Sequence, residues 1–307
     1  MIERSENIQT TTKTAIGYEP MLGAVLSLFD GMSCGQIALN KAGITYGKYY
    51  ASEIKPHAIK VTQHNYPNTI QLGDVREIKA ENLPRIDLLI GGSPCQDFSR
   101  GNATRDGLQG VKSGLFFEYL RLLKELKPKY WLLENVIMSD ADYMIISDYV
   151  ETEPVRINSA LVSAQLRDRL YWTNIGPEYR DLFGNRKCAI PQPKDKKIKL
   201  KDILTDGYTD REKSRALLES DSRPLKTLEK MWHRYDSTGF TTVVFESPDL
   251  DWKKGLRYLN QTELERLQTV PEGYTSLLKR NDAACLLGDG WTCDAISHIL
   301  GFIRERF

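Results

Sequence analysis

The sequence predicts an α/β fold in which an open sheet carries helices on both faces. Short apolar runs alternate with helical stretches from residue 24 to about residue 175, which is the pattern of strand–helix–strand units. Acidic or glycine-rich residues follow directly after several of these runs. Because ligands bind at the carboxyl ends of the strands in such a sheet, the pattern also predicts a ligand site along one edge.

Composition narrows the class of protein. The chain has 307 residues and a formal net charge of +1, and its length allows one large core plus a smaller module. No apolar run approaches the roughly 18 residues of a membrane span, and residues 1–20 lack the apolar core of a secretory signal. The five cysteines and four histidines lack paired ligand spacing, so we expect no disulfide framework and no metal site. These features predict a cytoplasmic protein with a mobile tail over 1–20.

The first strand, residues 24–29, breaks into a glycine-containing turn that opens a helix. Glycines at such a turn let a ligand approach the backbone, and an acidic residue that closes the next strand can accept both hydroxyls of a ribose. Glu53 closes that strand, eighteen positions after Gly35. Because Ser33 stands between Gly31 and Gly35, the full dinucleotide fingerprint is not present. Nucleoside binding and a plain tight turn both remain open.

Two further strand ends carry carboxylates. Asp74 follows the short run that ends at Leu72, where it would either hold an adenine amino group or cap the next segment. Glu134 follows the buried run 130–133 and emerges at the same edge.

Cys95 lies where the apolar run 86–90 opens into a loop. A reactive thiol must be held rigidly yet be accessible, and a strand end provides both conditions. The alternative is a packing role, because free cysteine is commonly a small buried hydrophobe. The polar, glycine-rich stretch that follows Cys95 predicts a mobile lid.

Arg167 and Arg169 lie two positions apart on an extended segment and therefore point the same way. They would form part of the predicted ligand site or of a surface ion-pair cluster.

The strand–helix alternation is lost between residues 176 and 256, where proline, lysine and polar residues dominate. We predict a second, smaller domain over 176–256, with the first domain formed by 21–175 and completed by 257–307. The basic run 186–201 predicts either a nucleic-acid contact or a solvated linker.

Helix 115–126 has one broad apolar stripe, which we expect to pack on the sheet. Phe117 falls on the opposite side of this helix. It would either meet a partner or fold onto its own surface.

The ordered motifs FDGMSCG, Glu53, Asp74, SPC, ENV and QLRDR resemble those of the DNA (cytosine-5) methyltransferases. RYLNQTELERLQTVPEGY at 257–274 and LLGDGW at 286–291 extend the resemblance over nearly the whole chain. FDGMSCG, SPCQDFS, GLFFEYLRLL and the C-terminal LLGDGWTCDAISHILGFIRERF are most similar to the DNMT3 catalytic-domain branch. Asp289-Gly290-Trp291 departs from the family, most of whose members carry Gly-Asn and a small residue there.

The resemblance implies a Rossmann-like, S-adenosylmethionine-dependent methyltransferase sheet with a smaller, irregular target-recognition domain. It implies an enzyme that flips a cytosine out of double-stranded DNA, attacks carbon 6 with Cys95 and methylates carbon 5. Glu134 would meet ring nitrogen 3 and Arg169 the carbonyl oxygen, with Arg167 as a supporting or phosphate contact. The base that removes the carbon 5 proton is not identified by the sequence.

The resemblance also implies two sets of contacts. S-adenosylmethionine would be held by strand-end residues and the C-terminal motif, namely Phe29, Asp30, Gly31, Met32, Cys34, Gly35, Glu53, Ile54, Asp74, Val75, Ser93, Pro94 and Trp291. DNA would be held by the lid, the basic run and the second module, namely Gln96, Ser99, Arg100, Asn102, Arg105, Lys196, Lys197, Arg234, Thr241 and Thr242. Phe117 matches a subunit contact of the DNMT3 branch, which implies a weak homodimer.

The alternatives to this function are an RNA cytosine-5 methyltransferase and a catalytically silent DNA-binding relative. The short chain suggests a bacterial or viral relative, with or without a restriction partner. The recognised DNA sequence does not follow from these residues.

Overall fold

The computed structural model describes residues 19–93, 113–182, 184–239 and 241–304. A seven-stranded sheet forms its centre, in the order β3-β2-β1-β4-β5-β8-β6. The strands of this part of the chain are β1 (Leu22–Leu28), β2 (Tyr46–Ser52), β3 (Ile70–Gln71), β4 (Leu88–Gly92), β5 (Tyr130–Val136), β6 (Val155–Asn158), β7 (Gln165–Leu166) and β8 (Asp168–Thr173). The first five strands of the sheet are parallel, and β8 runs antiparallel to both of its neighbours.

Helices cover both faces of this sheet. The α-helices are α1 (Cys34–Ala42), α2 (Pro56–Asn65), α3 (Ser113–Leu126), α4 (Asp140–Val150), α5 (Leu228–His233), α6 (Gln261–Leu267), α7 (Arg280–Asp289) and α8 (Cys293–Gly301). Successive residues of a strand point to opposite faces, and accordingly Val25 packs with α1 and α8 while Leu26 packs with α3 and α4. The predicted α/β fold with helices on both faces is confirmed.

Glycine and proline residues fix the ends of two helices. Helix α1 is followed by Gly43, whose φ of 68° is the left-handed conformation that glycine adopts without strain. Helix α2 begins at Pro56, where the missing N–H leaves no hydrogen bond unmade.

The described residues of segment 176–256 form short elements. Its strands are β9 (Glu178–Arg180), β10 (Arg186–Cys188), β11 (Ser214–Arg215) and β12 (Val243–Phe245), and the last pairs with β13 (Leu256–Tyr258). A small apolar core of its own surrounds Tyr235 and Phe245. Ile190 and Leu200, in contrast, pack with the clusters that contain α1. The domain limits remain a prediction. Strand β13 crosses the limit proposed between residues 256 and 257.

Helix α3 buries the predicted stripe, but Phe117 does not project freely into solvent. Its ring makes an edge-on contact with Tyr149 of α4, with centroids 5.5 Å apart, and also touches Phe116. The ring therefore folds onto its own surface, because α4 supplies an aromatic partner that the pattern of α3 alone does not reveal. A homodimer through Phe117 stays a prediction. No helix among the described residues is long and apolar enough to cross a membrane.

Candidate cofactor and target-base site

A cavity of about 540 Å³ opens at the carboxyl ends of β1, β2, β4 and β5. It lies at the edge where the sequence predicts a ligand site. The sequence-predicted site residues that line it are Phe29, Asp30, Gly31, Cys34, Glu53, Ile54, Asp74, Val75, Ser93, Glu134, Arg167, Arg169 and Trp291.

One side of the cavity, the turn wall, consists of Phe29–Gly31 and Glu53. Phe29 and Ser33 have φ values of 56° and 61°, a conformation that strains residues other than glycine. The Asp30 carboxylate stabilises the turn, because it accepts hydrogen bonds from the hydroxyls of Ser33 and Tyr49, the latter at 2.8 Å. Burial raises the pKa of Asp30 to about 6, although hydrogen bonds from its neighbours oppose the shift.

Backbone N–H groups hold the Glu53 carboxylate in place. One oxygen accepts from the N–H of Gly31, and the other accepts from those of Ile54 and Lys55, all at 2.8 Å. A carboxylate has about four acceptor positions, so Glu53 can still accept from a ligand hydroxyl. Ile54 stands beside it with 65% of its surface exposed, which provides an apolar contact for a flat ring.

Asp74 has the second of the two roles that the sequence left open. Its side chain caps a short 3₁₀ turn by accepting from the N–H of Arg76 at 3.0 Å, and it also binds the Arg76 guanidinium. These hydrogen bonds lower the pKa of Asp74 to about 2. Asp74 and Val75 both line the cavity, so capping and ligand contact are compatible.

The opposite side, the ion-pair wall, consists of Glu134, Arg169 and Trp291. Arg169 Nε lies 3.0 Å from one Glu134 oxygen, and the indole N–H of Trp291 donates to the other at 3.1 Å. Strands β5 and β8 bring the two charges together, because Arg169 pairs with Val136 in their antiparallel register. Glu134 is only 8% exposed. The arginine therefore belongs to an ion pair inside the cavity rather than to a surface cluster.

Arg167 supports the C-terminal loop. One of its guanidinium nitrogens donates to the carbonyls of Gly288 and Gly290 at 3.1 and 2.9 Å. Burial, followed by the proximity of Arg169, lowers the pKa of Arg167 to about 10, so it stays charged at neutral pH. Arg167 is only 5% exposed but lines the cavity. The structure shows its supporting role, and a phosphate contact stays a prediction.

Two residues that we expected at the cofactor lie in the core instead. Met32 is fully buried, and its carbonyl accepts from the Tyr274 hydroxyl at 2.6 Å. A Cβ on Gly35 would come within 2.5 Å of Tyr49 and Ile90, so this glycine permits close packing of α1 on the sheet. Neither lines the cavity, because Met32 packs into an apolar cluster just before α1 and Gly35 faces the sheet from the first turn of α1.

The predicted nucleophile and the predicted lid lie outside the described residues. This applies to Pro94, Cys95, Gln96, Ser99, Arg100, Asn102 and Arg105. Ser93 is the last described residue before them, and it accepts from the Asn135 amide at 3.1 Å. The chain therefore enters this segment directly beside Glu134.

Two of the residues expected to read DNA in the second module are buried rather than exposed. Thr241 is 1% exposed and donates to Asp221 at 2.7 Å, and Thr242 is 8% exposed. Their side chains serve the packing that precedes β12, so a reading role for these threonines is not supported. Arg234 is partly exposed, while Lys197 is exposed and Lys196 binds Asp294 at the start of α8. None of these three lines the cavity.

Sequence reasoning missed an ion pair at the cavity. Lys55 and Asp289 line the cavity, and their charged groups lie 2.7 Å apart. They are separated by 234 positions in the chain, so no local pattern connects them. Their places in the sequence were the available signal, because Lys55 directly follows the predicted cofactor residue Ile54 and Asp289 lies within the LLGDGW motif.

A sheet of this order, with one reversed strand and a cavity at its carboxyl edge, defines an S-adenosylmethionine-dependent methyltransferase fold. The chain matches the family model of the C-5 cytosine-specific DNA methylases over residues 23–141. Its cofactor is S-adenosylmethionine, and the turn wall fits that molecule, since Glu53 keeps one acceptor position for a hydroxyl and Ile54 offers an apolar face.

Similar proteins come from phages and bacteria. The chain is 34% identical over 196 residues to the orphan methyltransferase M.SPRI of Bacillus phage SPR, covering 60% of this chain and 42% of that protein. It is 42% identical over 196 residues to the orphan methyltransferase M.Rho11sI of Bacillus phage rho11s, covering 60% and 37%. The matched region thus spans less than half the length of these relatives. The DNMT3 branch remains a prediction.

Solved structures share the fold. The Entamoeba histolytica methyltransferase EhMeth has a TM-score of 0.72 at 13% identity, covering 92% of this chain and 98% of that one. Dnmt2 of S. pombe has a TM-score of 0.63 at 16% identity, also over 92% and 98%. At these identities the likeness concerns the fold alone.

Proposed function

We propose that this chain is a DNA (cytosine-5)-methyltransferase, which flips a cytosine out of duplex DNA and methylates its carbon 5. The observation that carries the proposal is that the Glu134–Arg169 pair faces the same cavity as Glu53. A nucleoside-binding carboxylate and a carboxylate–guanidinium pair in one cavity suit a reaction between a nucleoside-containing cofactor and a polar base. The family match over 23–141 supports the same reaction.

Cys95 begins the reaction on the base. A free thiol has a pKa of about 8.5, so nearby positive charge has to increase the thiolate fraction at neutral pH. The thiolate forms a bond to carbon 6, and the electron pair of the 5,6 double bond makes carbon 5 nucleophilic. Bound S-adenosylmethionine supplies an electrophilic methyl group. Carbon 5 later loses its proton to a base, and cleavage of the carbon–sulfur bond restores the ring and frees Cys95.

Glu134 and Arg169 bind the polar edge of the cytosine. Glu134 shares a proton with ring nitrogen 3, which prevents negative charge from accumulating on the attacked base. A guanidinium has five N–H donors, and Arg169 uses its Nε for Glu134 and another nitrogen for the Asp168 carbonyl. Its other donors are therefore suited to the cytosine carbonyl oxygen.

Duplex DNA is the proposed substrate because the site is recessed. Both Glu134 and Arg167 are at least nine-tenths buried, so a base stacked inside a duplex could not reach them. Flipping the base out of the stack would require a few kcal/mol. The segment after Ser93, with Gln96, Ser99, Arg100, Asn102 and Arg105, is the first proposed DNA contact. We place the enzyme in the cytoplasm of a bacterial or phage-infected cell, in keeping with its phage and bacterial relatives.

A methyl-transfer assay tests this proposal. Purified protein receives radiolabelled S-adenosylmethionine with duplex DNA or with RNA of the same sequence, and enzymatic methylation sequencing of plasmid DNA then finds the modified positions. We expect label in duplex DNA at carbon 5 of cytosine. Glu134→Gln should lower the rate about 100-fold or more, as expected for loss of a general acid. Glu125→Gln, on the exposed face of α3, is the matched control.

Label in RNA but not in DNA would overturn the substrate class. No methyl transfer to either nucleic acid by a folded, cofactor-binding protein would overturn the activity itself and favour a silent DNA-binding relative.

A further inference from the structure

The Glu134 carboxylate is held from two sides of the chain. Arg169 binds one of its oxygens from β8, and the Trp291 indole N–H donates to the other from the loop between α7 and α8. Trp291 is 157 positions away in sequence. The tryptophan also lines the cavity, so one side chain contacts both the cofactor space and the carboxylate proposed to act on the base.

The surroundings of Trp291 make its indole a rigid donor. The ring packs against the two apolar clusters that contain residues of α1. Arg167 holds the carbonyls of Gly288 and Gly290 immediately before it, and Thr292 immediately after it donates to Gln268 at 3.0 Å. The chain is therefore held by hydrogen bonds on both sides of the ring, through backbone carbonyls before it and the Thr292 side chain after it.

Gly92 shows how closely the hydrogen bond is enclosed. A Cβ at this position would lie 2.7 Å from the Glu134 oxygen and 2.9 Å from the Trp291 indole nitrogen. Both distances are too short for non-bonded atoms, so any side chain at 92 would push the carboxylate and the indole apart. The lack of a side chain at Gly92 thus leaves room for the hydrogen bond between Trp291 and Glu134.

We infer that Trp291 is a positioning residue for methyl transfer, whose indole N–H holds the Glu134 carboxylate in the orientation it needs at the target base. With Arg169 as its only side-chain donor, the carboxylate could rotate about its last bond and leave one buried oxygen without a partner. Two donors, one on each oxygen, fix its plane. This inference rests on the proposed function, because the orientation matters only if Glu134 acts on a base.

Trp291→Phe tests the inference, since it keeps an aromatic ring at the cavity and removes only the N–H donor. We expect the single-turnover rate at saturating cofactor and DNA to fall about 10-fold, the effect of losing a hydrogen bond to a charged group. The dissociation constant for S-adenosylmethionine, measured by calorimetry without DNA, should change less than about 3-fold, because most of the ring contact remains. The matched control is Trp172→Phe, which removes an indole hydrogen bond of 3.0 Å to Ser147 away from the cavity and should leave the rate unchanged.

A second measurement needs no substrate. The free energy of unfolding in urea is measured for wild type, Trp291→Phe, Glu134→Ala and the double variant. If the two side chains share a direct hydrogen bond, the double variant loses less unfolding free energy than the two single variants lose in sum. An unchanged rate for Trp291→Phe at saturating substrates overturns the inference, and so do additive unfolding midpoints. Loss of cofactor affinity with no loss of rate would show that Trp291 serves the cofactor alone. If wild type methylates no nucleic acid, the proposed function fails, while the unfolding cycle still decides whether Trp291 holds Glu134.

Discussion

The two walls of the cavity are built in different ways. In the turn wall, Glu53 is held by backbone N–H groups from its own neighbours and from Gly31, only 22 positions away. In the ion-pair wall, Glu134 is held by side chains from β8 and from the C-terminal loop, the latter 157 positions away. Backbone donors survive most substitutions around them, whereas side-chain donors do not. The ion-pair wall should therefore be the more sensitive to mutation and the turn wall the more robust.

The largest expected effect separates chemistry from binding. Cys95→Ser should lower methyl transfer at least about 100-fold, because a hydroxyl is a far weaker nucleophile than a thiolate. Cofactor affinity should stay within about 3-fold of wild type if the turn wall works independently. Methylation assays and calorimetry on the same preparation measure both quantities. Residual activity above a few per cent would contradict Cys95 as the nucleophile.

Replacement of Glu53 tests whether the turn wall binds the cofactor. Glu53→Ala should weaken S-adenosylmethionine binding about 10- to 100-fold, because the ribose hydroxyls and three backbone N–H groups lose their acceptor. Glu81→Ala, on a short 3₁₀ turn outside the cavity, is the control. An unchanged dissociation constant by calorimetry would show that the cofactor lies elsewhere.

The raised pKa of the buried Asp30 predicts how the free energy of unfolding depends on pH. Its folded-state pKa of about 6 lies above the ordinary value of 3.8, so its stabilising contribution is complete below pH 3.8 and is lost as the pH rises through 6. The Asp30→Asn variant has no ionisable group at this position. Its free energy of unfolding relative to that of wild type should therefore increase by up to about 3 kcal/mol between pH 4 and pH 7.

Urea unfolding of both proteins across this range measures the difference. A difference that does not vary with pH would mean that Asp30 ionises in the folded protein as it does in the unfolded chain.

The smallest expected effect concerns a face outside both walls. If Phe117 mediates a weak homodimer, wild type should self-associate in analytical ultracentrifugation at the highest concentrations, and Phe117→Asp should not. Tyr179→Asp, at an exposed aromatic residue of β9, controls for the added negative charge. The Phe117–Tyr149 contact reduces the apolar surface available to a partner. A monomer at every concentration would exclude the dimer, and equal association of both proteins would move the interface elsewhere.

Much of the fold followed from residue patterns because burial acts over short distances in sequence. The apolar residues of β4 and β5 are buried on both faces, and strands of this kind appear as continuous apolar runs. Gly43 and Pro56 mark helix ends through their own backbone chemistry. Burial is harder to foresee within an irregular segment, and accordingly Thr241 and Thr242 turned out to be covered by their neighbours.

The sequence by itself determined which chemical groups stand at the strand ends, because a carboxylate or glycine directly after an apolar run occupies the sheet edge wherever the chain goes next. Glu53, Asp74 and Glu134 follow from this rule. Only the tertiary structure decided which groups meet. The direction of α1 placed Gly35 against the sheet rather than in the cavity, and the return of the chain at α8 placed Trp291 on Glu134. Side-chain hydrogen bonds reach only about 3 Å, and residues so far apart in sequence come within that distance only when the whole chain has packed.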